Sequence, residues 1–234
     1  MPLRKVALAH IHLPDGALSL GWVVIWWFTY LLVLSSLLFK LRKTTFDPLR
    51  IAITAMATAV SFAVFQIDVP VLGGIHLNLT PLIGILLGPA LGTLSVFIVN
   101  IFSSAVGHGG WGLIGANSII NSIEVLLSYH VFRVAKERLG LFSSAVTAAL
   151  AGLVVGNFTM IGVVAISGIQ GSTLTRTEII SNLVPLAGVN LFVAVIEGIV
   201  TGFTVTYMSR FRPDLLKSSP SESLRIVKES AKQS

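Results

Sequence analysis

The sequence predicts an all-α integral membrane protein with about seven transmembrane helices, one of them short. Of its 234 residues, 54% are hydrophobic and 11% are charged, whereas a soluble domain carries about 25% charged residues. The apolar residues fall into runs of about 20, the length that an α-helix needs to cross a hydrocarbon core of about 30 Å. Most of the basic residues lie between these runs or after the last one.

The predicted spans follow one another along most of the chain. The first runs from Leu20 to Phe39, and tryptophans near its start are placed for an interfacial aromatic belt. The second covers about Ile51 to Ile67, and a third apolar stretch extends from Leu77 to Phe102. After a glycine-rich loop, three further helices are predicted at about Leu113 to Val134, Ser143 to Ser167 and Asn182 to Met208.

The third apolar stretch is interrupted by the pair Gly88-Pro89. Proline lacks a backbone donor, and its ring clashes with the preceding turn of a helix. The pair therefore predicts a short helix to about Leu87 and a full helix from Ala90. Counted in this way the chain has seven spans, with a leading tail at 1–19, a helical bundle at 20–209 and a polar tail at 210–234.

The basic residues predict the orientation of these spans. Of the 16 Lys and Arg residues, 13 lie in three places: Lys40 to Arg50, Arg133 to Arg138, and the tail from Arg210 onward. Seven spans put all three on one side, and the bias of basic loops makes that side cytoplasmic. We expect a multi-pass plasma-membrane protein in contact with lipid, with its N-terminus outside and its C-terminus inside. The net charge of +6 then reports topology, and we expect no nucleic-acid partner.

Several kinds of site are excluded by residues that the sequence lacks. It contains no cysteine, which rules out thiolate metal ligands and a cysteine nucleophile. It also lacks the phosphate loop Gly-x-x-x-x-Gly-Lys-Ser/Thr, the zinc motif His-Glu-x-x-His and the nucleophile motif Gly-x-Ser-x-Gly. We therefore expect no enzymatic activity in this chain.

Four of the five histidines are predicted to lie on the outer side. His10 and His12 precede the first span, His76 lies between the second and third, and His108 lies in the glycine-rich loop. Neutral imidazole is a common ligand for Zn, Ni, Co and Cu, so these four residues form a candidate metal site. For His108 a second interpretation is open, in which it shapes its loop or caps a helix.

The segments around these histidines resemble the CbiM/NikM family, the substrate-binding membrane subunits of energy-coupling-factor transporters for cobalt and nickel. The segment from His12 to Leu18 is similar to the family's starting sequence Met-His-Ile-Pro-Asp-Gly-Phe-Leu. The similarity continues in order through Gly74 to Leu79, Leu86 to Pro89, Gly107 to Gly110, Leu113 to Asn117 and Val195 to Gly198. It extends over about Ile11 to Met208.

The resemblance implies that Co(II) or Ni(II) is the transported substrate and that there is no resident cofactor. In the family an inserted N-terminus supplies its amine, a backbone nitrogen and a second-position histidine, and a loop histidine adds a fourth nitrogen. His12 matches the second-position histidine and His76 matches the loop histidine. Four nitrogens in a plane suit Ni(II) or Cu(II). Asp15 would either accept a hydrogen bond from one of the metal ligands or be an ordinary turn residue.

The resemblance also implies partners, and one feature departs from the family. The partners are two ATPase subunits and a coupling transmembrane subunit, with or without a small accessory membrane subunit, in a system that supplies cobalamin biosynthesis. The departure is that ten residues precede the Ile11-His12 pair here. Cleavage after Ala9 would expose His10, cleavage after His10 would restore the family register, and in an unprocessed chain His10 would replace the missing amine.

Two acidic residues, Glu124 and Glu197, lie within predicted spans, where a carboxylate is costly and often functional. In one interpretation they carry protons in a self-sufficient secondary carrier, and in a third alternative they belong to an intramembrane enzyme. Under the family resemblance they hold the bundle together or contact a partner subunit. Asn78 and Asn117 would bond the ligand histidines or join helices, and the spacing Gly152-x-x-x-Gly156 predicts close helix packing.

Overall fold

The computed structural model describes residues 15–42, 44, 46–67, 77–170 and 175–211. Within these ranges the regular structure is entirely helical, which confirms the predicted class. The helices are α1 (Leu20–Leu41), α2 (Pro48–Phe65), α3 (Thr80–Ala105), α4 (Ile114–Ala135), α5 (Leu141–Ser167) and α6 (Arg176–Phe211), with a 3₁₀ turn at Trp111–Leu113. The bounds of the predicted spans agree with these helices to within a few residues, except that α6 begins earlier.

α4, which buries several polar side chains, lies at the centre of the bundle. In the described ranges five helices are long and apolar enough to cross a membrane: α1, α2, α3, α5 and the part of α6 at Ala187–Phe211. α4 is as long as α1 but packs against α1, α3 and α5. Its Asn117, Asn121 and Glu124 are all buried. Polar side chains within a membrane face other helices, and this helix supplies the polar interior.

α3 is broken at Gly88, whose φ of 76° and ψ of −178° are not helical. This confirms the predicted interruption and divides α3 into a short arm, residues 80–87, and a long arm, residues 89–105. At a rise of 1.5 Å per residue the short arm is about 12 Å long, less than half of a hydrocarbon core. Arg50 Nη2 donates to the carbonyl of Leu87 at 3.1 Å, which caps the end of the short arm.

α2 and the long arm of α3 run parallel, although they follow each other in the chain. Three hydrogen bonds join α2 to α3 or to the break, at Arg50–Leu87, Thr58–Ser95 and Gln66–Ser103, and each pair is 37 residues apart. A constant separation means that the helices run in the same direction. The chain must therefore return between them, and the short arm makes the last part of that return. This accounts for the predicted short segment, while the number of full crossings and the orientation stay predictions.

Residues 15–18 pack against one end of the bundle before α1 begins. Leu18 is 2% exposed and belongs to an apolar cluster with Leu113 and Met160, and the carbonyl of Ala17 accepts a hydrogen bond from Gln170 N at 2.9 Å. We call this end the loop end, and the opposite end, with the basic residues between helices, the basic end. The rest of the predicted leading tail and nearly all of the polar tail lie outside the described ranges.

Candidate metal-binding site

Of the four predicted metal ligands, His108 alone lies within the described ranges; His10, His12 and His76 fall outside them. The His108 ring meets Phe65 edge to face, with 4.8 Å between ring centroids. Among the residues that the structure describes, no three His, Asp or Glu side chains come together to hold a metal ion. The ligand set stays a prediction, and the structure describes the residues that lie close to these histidines in the sequence.

The loop that carries His108 is shaped by glycine. Gly107 and Gly109 have φ of 84° and 98°, a region that glycine adopts without a steric penalty. The backbone N–H of His108 donates to the carbonyl of Ser103 at 2.8 Å. This geometry sets the His108 ring against the end of α2 and agrees with a role in shaping the loop.

Asp15 ties the leading segment to the start of α4. Its Oδ2 accepts from Trp111 N at 3.0 Å and its Oδ1 accepts from Gly112 N at 2.9 Å. These N–H groups open the 3₁₀ turn, where unpaired donors and the helix dipole favour an anion. A Cβ atom on Gly110 would overlap Asp15, so glycine there makes room for the contact. The backbone is thereby fixed three residues after His12.

Asn78, two residues after His76, meets two buried carboxylates. Asn78 Nδ2 donates to Glu124 Oε2 on α4 at 3.4 Å, and Asn78 N donates to Glu197 Oε2 on α6 at 3.3 Å. Both glutamates are 1% exposed. Glu197 Oε1 has no hydrogen-bond partner in the part of the chain that the structure describes.

Asn78 also caps the short arm of α3. Its Oδ1 accepts from Thr80 N at 3.0 Å, and its carbonyl accepts from Ser61 Oγ of α2 at 2.9 Å. Leu79, between them, has φ of 53°, which is uncommon for a residue with a side chain. A strained backbone persists where its surroundings over-determine it. Residues 78–80 are held in this way by α2, α4 and α6.

The glycine pair of α5 provides space for polar side chains of α4. A Cβ atom on Gly156 would overlap the Glu124 carboxyl, and one on Gly152 would overlap Ser128 Oγ. The predicted close packing at this pair is present, and its consequence is room for Glu124. The sequence did not identify Asn78 as the residue that joins the glutamates. One feature of the sequence could have indicated such a residue: the two glutamates lie in apolar spans without a nearby basic residue, so they need amide or hydroxyl groups as hydrogen-bond donors.

The family comparison matches most of the chain. Residues 12–215 match the model of the family CbiM, described as the cobalt uptake substrate-specific transmembrane region. The cobalt transport protein CbiM of Carboxydothermus hydrogenoformans is 28% identical over 210 residues, 86% of this chain and 84% of that protein. An Archaeoglobus fulgidus protein, named as a fused nickel transport protein NikMN, is 28% identical over 214 residues, 88% of this chain and 68% of that protein.

Two solved structures have a similar fold. A truncated transition metal transporter gives a TM-score of 0.74 at 22% identity, covering 86% of this chain and 99% of that one. A second transition metal transporter gives 0.73 at 20% identity, covering 86% and 93%. At these identities they show the fold alone. Because the family match extends over most of its length, the chain belongs to the CbiM family of cobalt-uptake transmembrane proteins.

Proposed function

We propose that the chain is the substrate-capture membrane subunit of an energy-coupling-factor transporter that imports Co(II) or Ni(II). His12 and His76 are its principal ligands, with an N-terminal amine or His10 assisting, at the loop end of the bundle. The observation that supports this is that the residues flanking both histidines are attached to one helix. Asp15 binds the start of α4, and Asn78 binds Glu124 further along it.

The lengths of chain involved allow the two imidazoles to meet. Asp15 follows His12 by three positions and Asn78 follows His76 by two, and these five steps together reach about 17 Å at about 3.5 Å per residue. From Gly112 to Glu124 the helix rises about 18 Å. The length of the side chains makes up the remainder. A tail that turns down along α4 and a loop that rises from Asn78 therefore suffice to form a nitrogen site.

The chemistry of the cargo and the missing phosphate loop support the rest of the proposal. Imidazole and amine nitrogens bind both Co(II) and Ni(II), and the relatives' names include one for cobalt and one for nickel. This sequence has no phosphate loop of its own, so energy would come from two ATPase subunits through a coupling transmembrane subunit. A small accessory membrane subunit would complete some assemblies.

Intact mass of the membrane-extracted protein, with and without Ni(II) or Co(II), tests this function and reports any N-terminal trimming. We expect one metal per chain, and we expect His12→Ala and His76→Ala each to abolish tight binding. His130→Ala is the matched control, since His130 is exposed in the second half of α4, away from the loop end. Unchanged stoichiometry and affinity in both ligand variants would refute the site.

A self-sufficient proton-coupled carrier is the second candidate, and the burial of Glu124 and Glu197 is the observation in its favour. Reconstitution of the chain alone in vesicles tests it. Metal uptake driven by a proton gradient without ATPase subunits would support the carrier. Metal binding without uptake would support the capture subunit.

A further inference from the structure

One residue, two positions after the predicted loop ligand His76, is held by three helices. Glu197 of α6 accepts from the N–H of Asn78, which belongs to the peptide that joins Leu77 to Asn78. Ser61 of α2 donates to the carbonyl of Asn78, which belongs to the next peptide. Glu124 of α4 accepts from its side-chain amide. Both peptides and the side chain are therefore fixed from different directions.

We propose that Glu124 and Glu197 are positioning residues for the transported metal. They clamp Asn78, and through Asn78 they orient the His76 imidazole without touching the metal themselves. The inference rests on the proposed function, since it takes His76 as a ligand. The clamp sets both the affinity and the coordination geometry of the site.

The strength of the clamp follows from its surroundings. Hydrogen bonds in a low-dielectric interior are stronger than in water, and neither glutamate is exposed to more than 1%. Removing a group that orients a metal ligand without binding the metal itself typically lowers metal affinity 10- to 100-fold. A loop tied by several such bonds presents its imidazole in one arrangement, which preserves affinity because little freedom is lost on binding.

The clamp requires an acceptor atom and does not require a negative charge. Each glutamate uses one oxygen, Oε2, in its bond to Asn78, and Glu197 Oε1 is unbonded among the described residues. A glutamine carbonyl can accept the same hydrogen bond, whereas it cannot take up and release a proton. Glutamine substitutions therefore distinguish a positioning role from a proton-carrying role.

Gly156 of α5 allows the clamp to be disturbed from a helix other than the three whose side chains bond Asn78. A methyl group there would overlap the Glu124 carboxyl and push it away from Asn78. Gly162 lies on the same helix, and a Cβ atom on it would meet nothing within 4 Å. Gly156→Ala and Gly162→Ala thus form a matched pair, since both gain the same helix propensity.

The test titrates the full chain in detergent with Ni(II) and with Co(II), recording affinity and the d–d absorption spectrum. We expect Glu124→Ala, Glu197→Ala and Gly156→Ala to lower affinity by about 10- to 100-fold and to alter the spectrum, because one imidazole is displaced. We expect Glu124→Gln, Glu197→Gln and Gly162→Ala to keep both. Thermal unfolding of the metal-free variants identifies any that fail to fold. If the alanine variants of the glutamates are among them, the metal affinity of Gly156→Ala decides whether the clamp exists.

The outcomes separate this inference from the proposed function. Wild-type protein that binds no metal would overturn the proposed function. A second outcome would overturn the clamp alone. In it the wild-type protein binds metal and His76→Ala does not, but the alanine variants of Glu124, Glu197 and Gly156 bind as tightly as the wild type. Equal losses in the glutamine and alanine variants would also overturn it, because charge would then be the property that matters.

Discussion

Asp15 Oδ2 accepts a hydrogen bond from the backbone N–H of Trp111 at 3.0 Å, across 96 residues of sequence. The second carboxylate oxygen accepts from Gly112 N at 2.9 Å. One side chain thus caps the 3₁₀ turn that leads into α4 and holds the leading segment at the loop end. Under the proposed function, the same contact would also anchor the tail that carries the predicted ligand His12.

Replacing Asp15 should therefore affect two quantities. Asp15→Ala removes a cap and should lower the free energy of unfolding by about 1 kcal/mol, and it should weaken metal binding because the tail is no longer anchored. Asp47→Ala is the control. Asp47 caps α2 at the basic end, where it accepts from Leu49 N, so it should lower stability alone. Equal metal affinities in the two variants, measured by titration, would contradict the anchoring role.

Gly88→Ala should destabilise the protein by about 1–3 kcal/mol, the usual cost of a backbone conformation that only glycine adopts readily. The φ of 76° is the cause, because a Cβ atom there would lie at an ordinary 3.6 Å from Tyr129 Cε2. Thermal or denaturant unfolding in detergent measures the change. Adding Tyr129→Ala should give no rescue, and a full rescue would show that steric contact was responsible.

Arg50→Gln should lower the free energy of unfolding by about 1–2 kcal/mol, since it removes a charged donor to a helix-end carbonyl. The affected bond joins Arg50 to Leu87 at 3.1 Å, so local hydrogen exchange near the break in α3 should rise as well. The comparison is Arg138→Gln, at an exposed position after α4. Equal stability in the two variants would show that the cap contributes nothing.

The amides of Asn157 and Asn190 should couple α5 to α6 by about 0.6 kcal/mol, the average for hydrogen bonds between membrane helices. Asn190 Nδ2 donates to Asn157 Oδ1 at 3.2 Å, and Asn157 Nδ2 donates to the carbonyl of Ala187. Asn157→Ala should therefore cost more than Asn190→Ala. A double-mutant cycle measures the coupling, and additive effects would refute it.

Hydrogen bonds from Thr175 hold the pKa of Glu178 below its ordinary value, with the backbone bond first and the side-chain bond second. Because the pKa is lower in the folded chain, Glu178 adds stability above the ordinary carboxyl pKa and loses it as the pH falls through the lowered value. Thr175→Val removes the hydroxyl and should raise the pKa of Glu178 part of the way back. NMR titration of labelled glutamate carboxyls measures it, and an unchanged pKa would contradict the capping geometry.

For the metal site, the sequence and the structure give different information: the sequence predicts the ligands, and the structure describes residues near them in the chain. The sequence pairs His12 with His76 through a family resemblance. The described residues add the flanking anchors, Asp15 and Asn78, and they contain His108 in a loop shaped by two glycines. A spacing along the chain cannot show which backbone donors an aspartate will meet, since those donors come from another loop.

The sequence by itself determined the helical membrane class, the span positions and the break in α3. These follow from local properties: the length of apolar runs and the missing donor and bulky ring of Pro89 act within one or two helical turns. The tertiary structure decided that α2 runs parallel to the long arm of α3, that Gly156 makes room for Glu124, and that Asn78 joins two carboxylates. Those contacts join residues up to 119 positions apart. Only the packing of whole helices brings them together, because the hydrocarbon surroundings force buried polar groups to find partners inside the bundle.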